Sequence, residues 1–356
     1  MRDAIFYGYD WVGLSSTERM ALAIARSGGK VLHCGTALSW LHRPDRRIRQ
    51  VEERLFTFTP VILGSRFNHF PGMERFQAAA IVRQILRHAR ELGLKNPMFV
   101  YSGEGLFLLP TCEAMKARGF FLAHVCMDFW ESGGKEHVEL PDVTLVIPEV
   151  LYERLHSRWG SKIRQIPQAV DLRPYRAVSA RPVQDLPIFD GIPRPRLGYA
   201  GGGAQNRLDM RLLADLLKRR PEWSFVSFGN RPVLPLPNAY VLPWQSPQDV
   251  AQCVAGFDVG FMPYPCSEAV SFHCVPLKLF DYFALGIPAV ATPILHLREP
   301  EFEGLIYLGE TAEDLERAVE AALAEPQDSP KRQRRKEIAE AHSMEAFGRL
   351  LEEIFA

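Results

Sequence analysis

The stretch VPLKLFDYFALGIPAVAT (residues 275–292) decides how this chain is read. Proline suits the first position of a helix, where its missing N–H has no partner to lose, and Pro276 stands at the head of an apolar helical run that extends to Leu285. Gly286 can close that helix in the left-handed conformation, Pro288 blocks its continuation, and 289–291 then read as a short strand. Lys278 falls in the first turn, beside unpaired backbone donors and the positive end of the helix dipole. A cation is unfavourable there unless an anion also arrives, and a phosphate would convert the conflict into a binding site. The ordinary alternative is a lysine reaching into solvent from an amphipathic helix.

Working outward, the same alternation of strand and helix continues in both directions. Strands are expected at 196–200, 223–229, 238–242 and 259–262, with helices at 209–219 and 247–255. In the first half, strand-type runs fall at 4–7, 30–34, 54–58, 98–101, 120–125, 143–147 and 162–166. Helical patterns lie at 75–92, 112–118 and 150–158, and another opens at Ser15, where Ser15 and Glu18 have the spacing of a capping box. Alternation of this kind implies parallel sheets covered on both faces. The Pro-rich segment 181–195 reads as an exposed linker. The expected organisation is therefore an N-terminal domain over 1–180, a linker over 181–195, a C-terminal domain over 196–335 and a terminal helix over 336–356. Within that last segment Phe347, Leu350, Leu351 and Ile354 form an apolar stripe, and the helix is expected to cross back to the first domain. The basic run Lys331, Arg332, Arg334, Arg335 and Lys336 reads as the start of a surface helix.

The composition agrees. The 356 residues suit two domains at roughly 150 residues each. Hydrophobic residues at 47% and charged residues at 24% exclude a disordered or fibrous chain. Lys+Arg and Asp+Glu both number 42, which argues against a general nucleic-acid binder. The six cysteines form no C-x-x-C pair and read as reduced thiols. No apolar run approaches the ~18 residues of a spanning helix, and the first residues lack the layout of a signal peptide. These features suggest a cytoplasmic protein, one that can touch a membrane from outside.

A second chemical signal is Gly201, Gly202 and Gly203, between an expected strand and an expected helix. Three glycines let backbone amides come close to an oxyanion, and Asn206, Arg207 and Asp209 follow. A plain turn is the alternative, and neither a dinucleotide fingerprint nor a P-loop is matched. Both signals fall at strand-to-helix junctions of one domain, the edge where open α/β sheets bind ligands.

The run 276–292 resembles the P-x-K-[LF]-x-E-Y-x-A-x-G-x-P-V-V-A signature of glycosyltransferases with the GT-B fold, family 4-like, of the exopolysaccharide and teichuronic-acid type. Other segments agree in order: IPQAVD (166–171) is similar to PxGVD, LGYAGG (197–202) to GYxG, FDVGFMPY (257–264) to DVGLxPY, and VCMDFW (125–130) to DCxDD. The resemblance implies two Rossmann-like βα domains facing each other across a cleft. It also implies a nucleoside-diphosphate sugar, UDP- or GDP-linked, held by the C-terminal domain, with a glycan or lipid-linked acceptor held by the N-terminal one. Lys278 would meet the diphosphate, with Val275, Pro276 and Leu277 forming the helix entry around it. Asp281 would stand where the family's glutamate binds the ribose hydroxyls, one methylene shorter. The first glutamate of the family's Glu-x7-Glu motif is replaced by His273, which stands with Asp128 as a catalytic candidate; Glu268 is a substitute from a shifted loop, and Ser271 a hydrogen-bond donor to phosphate or sugar.

Transfer to a hydroxyl needs stabilisation of the departing diphosphate and, for inversion, a general base. Lys278, helix amides and glycine-loop amides supply the first without a metal, and no Asp-x-Asp pair occurs in the chain. Asp128 is the candidate base, after the strand at 120–125, with a structural carboxylate as the alternative. Asp10 and Glu18 are lesser candidates on the acceptor side, and Trp11 and Trp130 offer flat faces for a sugar ring. Arg43, Arg46, Arg47 and Arg49, together with Arg83, Arg87 and Arg90, form basic clusters that can approach anionic lipids or simply face water. Two other outcomes remain open: a non-catalytic nucleotide-sugar-binding subunit, and an epimerase or phosphorylase on the same two domains.

Overall fold

A computed structural model describes residues 1–11, 15–42, 45, 47–64, 67, 70, 72–103, 107–126, 136–179, 186–202, 208–229, 234–267 and 274–356. The chain divides into two units, Met1–Pro167 with Met344–Ala356, and Gln168–Ser343.

The first unit runs β1 (Ala4–Tyr7), α1 (Ser16–Arg26), β2 (Val31–Cys34), β3 (Leu38–Ser39), β4 (Arg49–Glu52), β5 (Leu55–Phe58), β6 (Val61–Ile62), α2 (Met73–Glu91), β7 (Met98–Tyr101), α3 (Leu108–Lys116), β8 (Leu122–Cys126), α4 (Glu136–Glu139), β9 (Val143–Val146), α5 (Glu149–Trp159) and β10 (Ile163–Gln165). Its main sheet has the order β10-β9-β8-β7-β1-β2-β5-β4. All neighbours are parallel except β4, which pairs antiparallel with β5. Strands β1, β2, β7, β8 and β9 are buried along their whole length, as parallel strands covered on both faces must be. A separate parallel pair, β3 with β6, continues β2 and β5 beyond the carboxyl edge of that sheet.

The second unit runs α6 (Leu172–Ser179), β11 (Arg196–Gly202), α7 (Met210–Arg219), β12 (Ser224–Phe228), β13 (Ala239–Leu242), α8 (Pro247–Ala255), β14 (Val259–Met262), α9 (Leu277–Ala284), β15 (Ala289–Ala291), β16 (Ile306–Leu308), α10 (Ala312–Leu323) and α11 (Pro330–Ala341). Its all-parallel sheet has the order β13-β12-β11-β14-β15-β16. The chain leaves β11 toward one edge and returns to β14 on the other side, so the order reverses between those two strands. The crevice outside their carboxyl ends is where such sheets receive ligands. The last helix, α12 (Met344–Phe355), belongs to the first unit, where Gly348 lies so close to Ser27, the C-cap of α1, that a Cβ would fall 2.3 Å from its Oγ.

Local signals explain most of these elements. Ser15 and Glu18 form the capping box of α1, and Thr311 with Asp314 forms another at α10. Gly286 ends α9 with φ 69°, and its amide and that of Ile287 bond back to Phe283 and Tyr282. Pro276 is the N-cap of α9 rather than its first helical residue, because its ψ of 107° is extended.

Three expectations change. The division falls at Pro167, ahead of the Pro-rich segment, because α6 packs on α8 and α9 in the second unit. Residues 186–195 are not an exposed linker: Phe189 and Ile192 enter the core, where Phe189 meets Gly256 and carries the Arg196 guanidinium 4.5 Å over its ring. The basic run at 331–336 does open α11, yet Arg335 is fully buried. It forks onto Glu325 at 2.6 and 2.8 Å and donates to the Leu305 carbonyl. Sequence patterning also does not single out the short strand β16 or helix α10. Cys34, Cys112, Cys126 and Cys253 are buried, Cys274 is half-buried and Cys266 exposed, and none of the six is in a disulfide.

Candidate functional site

The reversal point between β11 and β14 gathers a compact group of side chains in the second unit. Lys278, in the first turn of α9, donates from Nζ to the Tyr264 hydroxyl at 2.8 Å. The same ammonium sits 4.5 Å over the Tyr199 ring and 5.3 Å from the centre of the Tyr264 ring. Tyr199 comes from β11, and Tyr264 lies two residues beyond β14, so one cation is held by both sides of the crevice. Gly201 leaves room for it, since a Cβ there would stand 3.1 Å from both Lys278 Cε and the Tyr199 ring.

The surroundings of this lysine are built from buried phenols. Burial holds the hydroxyls of Tyr264 and Tyr282 well above their ordinary range, so both stay protonated. Tyr282 donates to the Gly198 carbonyl at 2.9 Å and accepts from the Ala200 amide at 2.9 Å, tying α9 to the end of β11. The Thr292 hydroxyl donates to the Tyr264 carbonyl at 2.8 Å and holds the loop after β14 in place. Pro276 brings no capping side chain to α9, leaving its first amides without a side-chain acceptor. Among the described residues, no carboxylate lies within 4.0 Å of the Lys278 ammonium. A half-buried cation, aimed by two tyrosines beside the open end of a helix, is an arrangement that accepts an anion.

The other donor-side candidates divide. Gly201 and Gly202 end β11, and Val275, Pro276 and Leu277 lead into α9. The Gln168 side chain donates to the Val275 carbonyl at 3.3 Å and so steadies that entry. Asp281 is buried on α9, one turn beyond Lys278. Gly203, Arg207, Glu268, Ser271 and His273 lie outside the described residues, as do Asp128 and Trp130 in the first unit. Sequence reasoning missed Tyr199, Tyr264 and Gln168. The tyrosines were visible at the ends of two expected strands, but nothing local says that both meet Lys278.

In the first unit, Asp10 and Trp11 line a cavity of about 260 Å³ with His33, Leu38, Arg47 and Arg49 among its other walls. Asp10 accepts the Thr36 amide at 2.9 Å, which fixes the loop after β2. Trp11 meets His33 edge-on at 5.2 Å, and burial pushes the His33 imidazole down to about 4, so it is neutral at physiological pH. Glu18 is not at the surface: it is fully buried, and its Oε2 accepts the Ser15 amide at 2.7 Å, which gives it a capping role instead of an acceptor contact.

No protein-family model matches the chain. A Bacillus subtilis (strain 168) protein named as a teichuronic acid biosynthesis glycosyltransferase, TuaH, is 29% identical over 143 residues, which covers 37% of this chain and 34% of that protein. The chain therefore matches about a third of that relative's length. Solved structures match throughout. The trehalose-6-phosphate synthase OtsA aligns with TM-score 0.67 and 12% identity over 99% of each chain. The fold is GT-B. An E. coli structure holding UDP-2-fluoro glucose and Anabaena HepE in complex with UDP each align with TM-score 0.64 and 12% identity, again over 99% of each chain. The two Rossmann-like units of this GT-B chain are thus the sheets described above. Among its described residues no helix is long and apolar enough to cross a membrane.

Proposed function

We propose that the protein is a glycosyltransferase that moves a sugar from a nucleoside-diphosphate sugar, UDP- or GDP-linked, to a glycan or lipid-linked acceptor. The observation that carries this reading is the ammonium of Lys278, pinned by Tyr264 and Tyr199 at the helix entry with no carboxylate within 4.0 Å among the described residues. The partial match to TuaH supports glycosyl transfer, and the neighbours holding UDP-2-fluoro glucose and UDP support the donor class.

In this reading Lys278 and the first amides of α9 take the diphosphate, and their charge grows in value as the leaving group gains negative charge. Val275, Pro276 and Leu277 shape that entry, Gly201 and Gly202 allow the backbone to approach, and Asp281 serves the ribose side. Metal-independent transfer belongs to the reading, because protein cations do the work of a bridging ion. The cavity around Asp10 and Trp11 is the acceptor side, with the protein cytoplasmic and peripheral on the inner face of a membrane.

The test is calorimetric titration with UDP and GDP. Lys278→Ala is expected to weaken the preferred diphosphate by at least about thirtyfold, the worth of one charge-assisted contact, while the melting temperature stays put. Unchanged affinity ends the assignment. Turnover of donor without any acceptor would instead favour the epimerase reading, and binding without turnover the non-catalytic one.

A further inference from the structure

Helix α9 begins differently from the other helices around it. In the second unit α7, α8, α10 and α11 each start on a side-chain cap, from Asp209, Ser246, Thr311 and Ser329. α9 starts on Pro276, which has no such group to give. The proline ring holds φ at −71°, so the direction of the first amides follows the peptide plane between Val275 and Pro276. Whatever fixes that plane also aims those amides and the stem of Lys278.

Gln168 fixes it. Its side-chain amide reaches across 107 positions of sequence to donate to the Val275 carbonyl at 3.3 Å, and the residue is only 7% exposed. Gln168 is held from behind in turn, for its own carbonyl accepts from His342 Nδ1 at 3.0 Å. The Val170 amide donates to the His342 carbonyl at 2.9 Å, and Val170 pairs with Ser343 in a parallel bridge. The entry of the chain into the second unit at Gln168 and its exit at Ser343 therefore lie side by side. On its other edge His342 meets Glu301 through Nε2 at 3.1 Å, and its ring lies 4.3 Å from that of Phe280 on α9. The bond from His342 holds the Glu301 carboxyl below its usual range, so that group is an acceptor only. A backbone carbonyl on one side and a carboxylate on the other make both ring nitrogens donors. The IPQAVD run (166–171) thus does more than carry the chain between units, because its long amide at 168 touches the head of the helix that bears Lys278.

We propose that Gln168 and His342 are positioning residues for the donor diphosphate: His342 clamps the Gln168 backbone, and Gln168 aims the head of α9 through the Val275 carbonyl. The proposal rests on the donor reading above. Its effect is confined to the phosphates, since the nucleoside meets neither Lys278 nor the first amides of α9.

The test is calorimetric titration of the full chain with UDP and GDP, and with uridine and guanosine. Gln168→Met keeps the length of the side chain and removes the donor. His342→Phe keeps a ring on Phe280 and removes both N–H groups. Each is expected to weaken the preferred diphosphate about threefold, less than a fully lost hydrogen bond because the plane is loosened rather than broken, with nucleoside affinity unchanged. The double variant should lose no more than the weaker of the two, because both act through one bond. His342→Asn, whose amide nitrogen takes the place of Nδ1, should recover the parent's affinity; with Gln168→Met it carries the test should His342→Phe fail to fold. Unchanged diphosphate affinity in either single variant overturns the proposal, and so does an equal loss for diphosphate and nucleoside. Losses that multiply in the double variant, or a His342→Asn protein no better than His342→Phe, overturn it too. A parent that binds neither diphosphate ends the donor reading and the relay together, whereas a parent that binds while its variants match it ends the relay alone.

Discussion

Replacing Tyr264 by Phe removes one oxygen and tests whether the lysine is aimed or merely present. The ring remains in its buried slot, and the Thr292 bond, made to the residue 264 carbonyl, is untouched. What disappears is the 2.8 Å acceptor for the Lys278 ammonium, together with the hydroxyl's bond to the Cys274 thiol. A hydrogen bond to a charged group is worth about 1.5–3 kcal/mol when its loss leaves the charge unmet. Two features reduce that figure here. Lys278 is only half-buried, so water can replace part of the bond, and the Tyr199 face 4.5 Å away still attracts the cation. A net loss of about 1 kcal/mol is reasonable, which is roughly a fivefold weaker diphosphate complex. Calorimetry with the nucleoside diphosphate and with the bare nucleoside separates the possibilities, because only the former meets the ammonium. The diphosphate should weaken and the nucleoside should not. If both weaken equally, Tyr264 shapes the fold rather than the charge; if neither changes, the tyrosine does not aim Lys278.

Two further outcomes concern stability. The imidazole of His33, lowered by burial from 6.5 to about 4, is protonated in the unfolded chain throughout that interval while the folded protein stays neutral. Stability is therefore full above the unfolded value, falls as pH drops toward the folded one, and loses about 3 kcal/mol in all; urea unfolding of His33→Leu should lack this slope. Glu325→Gln strands the guanidinium of Arg335, which has no exposure of its own, and should lower unfolding free energy by about 3–5 kcal/mol in urea titrations. A smaller change than about 1 kcal/mol would mean that water reaches the pair.

Much of the fold was legible because its signals are local. Caps at Ser15, the Pro276 and Gly286 boundaries of α9, and short apolar runs between helical patterns each act within a few residues, so alternation and a parallel sheet followed from reading along the chain. Where patterning misled, the cause was a distant partner. The arginine at 335 looks like its basic neighbours until the chain returns Glu325 and the Leu305 carbonyl to it, and Phe189 looks like linker until Gly256 makes space for its ring. Glu18 has the spacing of a cap, but only packing shows that it is sealed from any ligand.

The candidate site divides along the same line. The residue types were available from sequence alone: a lysine where a helix begins, glycines where a strand ends, a charge placed against the local dipole. The meeting of Tyr199, Tyr264 and Lys278 was not, because it depends on β11 and β14 lying side by side although some sixty residues separate them in the chain. Nearest-neighbour chemistry sets helices and strands, since their hydrogen bonds close over short loops. The partner of a buried charge is chosen by sheet order, which forms only when every strand has found its neighbour.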